Sequence, residues 1–64
     1  MAPSDASQLS SVSTTLDDLV ARVTRAGEER LAVGDEGAAA ELFEVERSLR
    51  AAKRRLQTAL RRLS

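Results

Sequence analysis

The sequence predicts an all-α protein, folded as an antiparallel hairpin of two coiled-coil-like helices. Two apolar heptad patterns predict it, and a short segment containing two glycines separates them. The composition agrees, because Gly occurs 3 times and Pro once, so residues that interrupt helices are rare. A chain of 64 residues is one small domain, close to the size at which burying enough surface becomes difficult.

The first heptad pattern starts in a Ser- and Thr-rich segment near the amino terminus. Its apolar residues alternate steps of three and four: Leu9, Val12, Leu16, Leu19, Val23 and Ala26. We therefore expect residues 1–5 to be a disordered N-terminus, residues 6–64 to be the single domain, and the first helix to cover about residues 6–33. A shorter helix is the alternative, because Thr15 and Asp18 form a T-x-x-D capping pattern.

The segment between the two patterns has the residues of a helix–turn–helix joint. Gly34 is placed to end the first helix in a left-handed conformation. Asp35 can then accept hydrogen bonds from the first free amides of the second helix, and Glu36 favours the positive end of its dipole. One continuous helix is the alternative, and two glycines and a capping Asp within four residues argue against it. The sequence therefore predicts a turn at residues 34–37.

The joint resembles a known motif. Gly34-Asp35, followed by Ala39, Leu42 and Phe43, is similar to the connection between the two helices of a tetratricopeptide repeat. The resemblance covers about fifteen residues, and the sequence contains no second copy on which such a unit would stack. It therefore implies a helical hairpin and no particular function.

The second heptad pattern predicts a helix over about residues 36–63. Its apolar positions, labelled a and d in the heptad abcdefg, run through Leu42, Val45, Leu49, Ala52, Leu56, Ala59 and Leu63. Glu46 precedes Arg50 by four residues, the favourable order for an ion pair on a helix. We expect the large apolar residues of both patterns to form an interaction seam: Leu9, Val12, Leu16, Leu19, Val23, Leu42, Val45, Leu49, Leu56, Leu60 and Leu63.

Charge is divided unevenly along a chain whose formal net charge is zero. Residues 1–46 hold all ten acids, whereas residues 47–64 hold seven bases and no acid. With Leu49 at position a, none of the bases in residues 47–64 occupies an apolar position, which favours a solvated Arg face on the second helix. A hairpin also brings Asp17 and Asp18 beside Lys53 and its neighbours. The alternative is an anion-binding face on the second helix, formed by Arg47, Arg50, Arg54 and Arg61.

The composition argues against several classes of function. His and Cys are absent, which excludes thiol chemistry, imidazole acid–base chemistry and the common zinc sites. Glu41 and Glu44 form an E-x-x-E pair without the His that a carboxylate metal site in a helical bundle would use. The serines have no base to activate them, and no phosphate-binding loop is present. We expect no enzyme activity, no catalytic residue, no cofactor and no bound metal.

The hydropathy pattern and the residue usage suggest where the protein works. No apolar run is long enough for a membrane span or a signal-peptide core, so we expect a cytoplasmic protein without a membrane partner. Arg strongly outnumbers Lys, as in proteins from GC-rich genomes, and we expect a bacterial source.

A partner is expected because two helices alone bury little surface. Val20, Leu31 and Phe43 lie off the seam and are candidate contacts for a second copy. Full burial of a Leu or Phe stabilises by about 1.5–3 kcal/mol, against about 1.5 kcal/mol of conformational entropy per ordered residue. We therefore expect a homodimeric four-helix bundle that acts as a protein-interaction module. The alternatives are a nucleic-acid-associated protein using the Arg face and an obligate subunit of another protein, such as an antitoxin or adaptor.

Overall fold

The computed structural model describes residues 5–63 and confirms the predicted all-α hairpin, in which two helices pack against each other. Helix α1 spans Asp5–Ala32 and helix α2 spans Glu36–Leu63. The expected ranges were about 6–33 and 36–63. The disordered start expected for residues 1–5 lies outside the described residues, except for Asp5, which begins α1.

The Ser- and Thr-rich segment is the first part of α1. Its hydroxyl groups donate to carbonyl oxygens one turn earlier: Thr14 Oγ1 to Ser10 O at 3.4 Å, and Thr15 Oγ1 to Ser11 O at 3.1 Å. Hydroxyls bonded in this way are satisfied inside the helix at a small cost in its stability, and α1 already begins ten residues before Thr15, at Asp5. The alternative of a helix capped at Thr15 is therefore wrong.

Helix α1 ends in a Schellman motif. Gly34 has φ 81°, the left-handed conformation expected for it from the sequence. The amide of Gly34 donates to Leu31 O at 3.1 Å, and the amide of Asp35 donates to Arg30 O at 2.8 Å. These two bonds satisfy carbonyl groups that have no partner within the helix. The chain can therefore reverse immediately after Val33.

Asp35 also begins α2. Its Oδ1 atom accepts from the amide of Ala38 at 3.2 Å, and its carbonyl oxygen accepts from the amide of Ala39 at 3.1 Å. This is the capping role that the sequence predicted for Asp35. The same residue thus closes one helix through its amide and opens the next through its side chain.

Three contacts fix the register of the two helices. The ring of Phe43 packs on Gly27, Thr24 Oγ1 donates to Glu46 Oε2, and Lys53 Nζ pairs with Asp17 Oδ1. Equal steps separate these contacts on both helices, so one antiparallel register holds along the interface. The predicted approach of Asp17 to Lys53 is confirmed, whereas Asp18 pairs within α1, with Arg22 at 3.6 Å.

The hairpin is a single layer of helices. Its Cα atoms extend 50 × 20 × 9 Å, and the radius of gyration is 14.9 Å, against about 11 Å for a compact domain of this length. Stable domains usually have at least two packed layers around one core. Here the buried apolar residues of the described chain are Val20, 8% exposed, and Ala39, 1% exposed. Most apolar side chains are therefore covered only in part.

Candidate interaction surface

The hairpin interface uses heptad positions beside the apolar seam. The heptad letters are counted from position a at Leu9 in α1 and at Leu49 in α2. Each of the three register contacts then joins a residue at position e to one at position b: Gly27 to Phe43, Glu46 to Thr24, and Lys53 to Asp17. Viewed down the helix axis, the direction midway between positions e and b lies about 100° from the direction midway between positions a and d. We expected the two seams to shield each other inside the hairpin, and they do so only in part.

A charged groove marks one face of the hairpin. It is shallow, about 200 Å³ in its smaller part, and Asp17 and Val20 from α1 and Arg50 and Lys53 from α2 line it. Farther toward the turn, Ala21, Thr24, Arg25 and Glu28 continue the lining on α1. These residues occupy positions b, c, e and f. Both helices therefore turn their polar flank to the same face.

The apolar seams consequently share the opposite face. On each helix, positions a and d lie on the flank that does not line the groove. Val12 and Val45 are each 45% exposed there, and Leu63 is 53% exposed. The remaining a and d members of the predicted seam are half-buried: Leu9, Leu16, Leu19, Val23, Leu42, Leu49 and Leu56. Leu60, a seam member at position e, is half-buried as well. We call the surface formed by the a and d residues of both helices the apolar face.

Two of the three candidate dimer contacts are occupied within the hairpin. Val20 is buried between the helices, and Phe43 packs against Gly27. Both belong to the e and b positions that join α1 to α2, so part of each side chain is covered within the hairpin. Leu31, near the turn, is 52% exposed and is the one of the three whose side chain is open.

The predicted Arg face lies in water, but carboxylates neutralise part of it. Arg47 lies 3.4 Å from Glu44 and Arg50 lies 3.8 Å from Glu46, so the favourable pair expected for Glu46 and Arg50 is confirmed. Arg54 lines the charged groove without an ion pair inside residues 5–63. Arg61 Nη2 donates to Thr58 Oγ1 at 3.1 Å. The four arginines do not converge on one point.

Sequence reasoning missed two residues that hold the hairpin together. Thr24 forms a half-buried hydrogen bond with Glu46 across the interface, and its place beside the seam gave no signal. Gly27 did give a sequence signal, because a glycine inside a helix is costly and often marks a site where another part of the chain packs against the backbone. An ideal Cβ there would lie 2.6 Å from Cε1 of Phe43.

The rest of the described chain offers little other chemistry. Residues 5–63 contain no group of three or more His, Cys, Asp or Glu side chains placed to hold a metal ion. Within the same range, neither helix has the length and apolar character needed to cross a bilayer. No protein-family model, curated protein or solved structure matches the chain. The apolar face is therefore the strongest feature from which to argue a function.

Proposed function

We propose that this protein is a non-catalytic interaction module that self-associates through its apolar face to form a homodimeric four-helix bundle. The observation that carries the proposal is the position of the two heptad seams. Both lie on one face of a single-layer hairpin, where Val12, Val45 and Leu63 are about half exposed. Large contiguous apolar patches on soluble proteins mark surfaces that bind other molecules.

The angle between the two contact surfaces of each helix supports a bundle. In a four-helix bundle each helix touches two neighbours, in directions roughly at right angles. The e and b positions already contact one neighbour within the hairpin. The a and d positions lie about 100° away, where a second neighbour would sit. A second hairpin laid on the apolar face supplies that neighbour for α1 and α2 together.

The charges support this proposal over nucleic-acid binding. Of the seven bases in residues 47–64, Arg47, Arg50 and Lys53 have carboxylate partners. A protein that binds nucleic acid gains affinity when its bases contact phosphates and release counterions. Here part of that positive charge is already neutralised, and the groove that holds Arg54 also holds Asp17.

The test is the oligomeric mass of the purified protein, measured by light scattering at micromolar concentration. We expect a helical dimer. Val45→Lys, on the apolar face, should shift the mass to that of a monomer. Gln57→Lys adds the same charge to the same helix but lies in the charged groove, and it should leave the dimer intact.

Three outcomes would count against the proposal. A wild-type monomer with full helicity would show that the apolar face needs no cover. A chain with little helicity on its own would favour the obligate subunit of another protein. Binding to duplex DNA or RNA that is strong at low salt and falls steeply as salt rises would favour the nucleic-acid alternative.

A further inference from the structure

Helix α2 is strongly polarised in charge along its length. Residues 36–46 contain four Glu and no base, and residues 47–63 contain seven bases and no acid. At the turn end, Glu28 and Glu29 of α1 are offset by Arg25 and Arg30, so the negative charge there comes from Asp35 and the four Glu of α2. The hairpin is therefore a rod with an acidic turn end and a basic open end, about 50 Å apart.

Two copies can pair their apolar faces in two symmetric ways. With turn over turn, α1 of each copy lies on α2 of the other. With the turn of each copy over the open end of the other, α1 lies on α1 and α2 lies on α2. Neighbouring helices are antiparallel in both arrangements. Both arrangements cover the apolar face of each copy, but they bring different flanking charges together.

Position g forms the outer edge of the apolar face on α2, and it holds Glu41, Ser48, Arg55 and Arg62. The register places Phe43 level with Gly27, and therefore Glu41 level with Glu29. Since Glu29 is at position g of α1, a turn-over-turn dimer would bring these two carboxylates together twice. Like charges at such flanking positions are unfavourable.

The reversed arrangement places opposite charges together. When Leu49 of one α2 lies opposite Ala52 of the other, as antiparallel heptads require, Glu41 lies opposite residue 60 of the second copy. On the same outer edge, Arg62 lies within one helical turn of that point, and Arg55 lies about one and a half turns away on its other side. Each Glu41 therefore meets bases, and the symmetry makes the pairing occur twice.

The apolar side chains of α2 also fit this reversal. Antiparallel heptads set each a position against a d position of the neighbouring helix. On α2, every a position from Leu42 to Leu63 is Leu, whereas positions d are Val45, Ala52 and Ala59. Each Leu thus meets a smaller residue, such as Leu49 against Ala52, which permits close packing without large voids.

We infer that two copies pair head to tail, with α2 against α2, so that the acidic turn of each lies on the basic open end of the other. This inference rests on the self-association proposed above. It goes further by specifying the direction in which the second copy lies on the apolar face.

The direction can be measured with one spin label on the full chain. The protein has no cysteine, and an added Cβ at Gly37 would meet nothing within 4 Å, so Gly37→Cys is a suitable attachment point. A head-to-tail dimer should separate the two labels by about 40 Å along the rod. A distance below about 20 Å would show turn over turn and overturn the inference, while leaving self-association intact. If no intermolecular distance is detected and the mass is that of a monomer, both the head-to-tail direction and the proposed self-association are overturned.

Reversing the charge of Glu41 is a second test, because it should change the dimer dissociation constant in opposite directions for the two arrangements. In the head-to-tail dimer, Glu41→Lys should raise the dimer dissociation constant about two- to tenfold. Adding Arg62→Glu to the same chain should recover most of the loss. In a turn-over-turn dimer Glu41 would face Glu29, so Glu41→Lys would instead tighten association. That result would contradict the inference without touching the proposed function.

Discussion

The Cε1 atom of Phe43 lies 2.6 Å from the point that a Cβ atom on Gly27 would occupy. Gly27 is buried inside α1, five residues before its end, where glycine costs about 1 kcal/mol of helix stability relative to alanine. The absence of a side chain lets the aromatic ring rest directly on the backbone of the opposite helix. Phe43, the only aromatic residue of the chain, therefore packs between the two helices and stabilises the hairpin.

Gly27→Ala should destabilise the protein, although alanine is the better helix former. The new methyl group would displace the ring of Phe43, and overpacking of this kind costs about 1–3 kcal/mol. We expect a lower free energy of unfolding in urea, followed by far-UV circular dichroism at one fixed protein concentration. Gly37→Ala is the control, because nothing lies near its added methyl group, and it should be neutral or slightly stabilising. Equal effects of the two substitutions would refute the packing argument.

Gly34→Ala should also destabilise, for a reason that involves no contact. Nothing lies within 4 Å of a Cβ at Gly34, but its φ of 81° is strained for every residue with a side chain. The expected cost is about 1–2 kcal/mol. Gly34→Asn should cost less, because asparagine tolerates the left-handed region. The same urea titration would count against this account if Asn proved as costly as Ala.

Asp35→Ala removes the side-chain acceptor at the start of α2. The amide of Ala38 would lose its partner, and replacement of such a cap by alanine costs about 0.5–2 kcal/mol. Asp35→Ser keeps an oxygen acceptor and should recover most of the stability. Thermal unfolding that is unchanged by Asp35→Ala would mean that water replaces the cap at no cost.

Thr24→Val should reveal the hydrogen bond between the helices. Valine keeps the shape of threonine but cannot donate to Glu46, whose side chain is only 20% exposed. Hydrogen bonds to charged groups contribute about 1.5–3 kcal/mol, so we expect a loss at the lower end of that range for this half-buried site. Thr24→Ser retains the donor and serves as the control. If serine and valine destabilise equally, the loss reflects packing and not the hydrogen bond.

The ion pair between Asp17 and Lys53 should contribute little to stability. The side chain of Asp17 is 58% exposed, and pairs of this kind contribute about 0–1 kcal/mol. A double-mutant cycle with Asp17→Asn and Lys53→Met should give a coupling energy within that range, decreasing as salt is added. A coupling of several kcal/mol would show that the pair does more than favour the register.

The heptad spacing was sufficient to predict two helices, and the residues Gly34 and Asp35 were sufficient to predict the turn between them. The side of each helix that faces the other could not be predicted in this way. A helix with apolar residues at a, d and e presents a wide stripe, and the pattern does not say which edge is used within the chain. Val20 and Leu60 signalled the e edge, whereas Thr24 and Glu46 are polar and carried no such signal.

The three residues between the helices, 33–35, determine which way α2 is rotated about its own axis. With one more residue ahead of α2, Val45 would occupy the place of Glu46 and Leu49 that of Arg50, because each residue turns the helix by about 100°. The leucines of α2 would then point at α1, whereas the a and d residues of α1 would stay on the apolar face. The length of this connection therefore determines how much apolar surface the hairpin leaves uncovered.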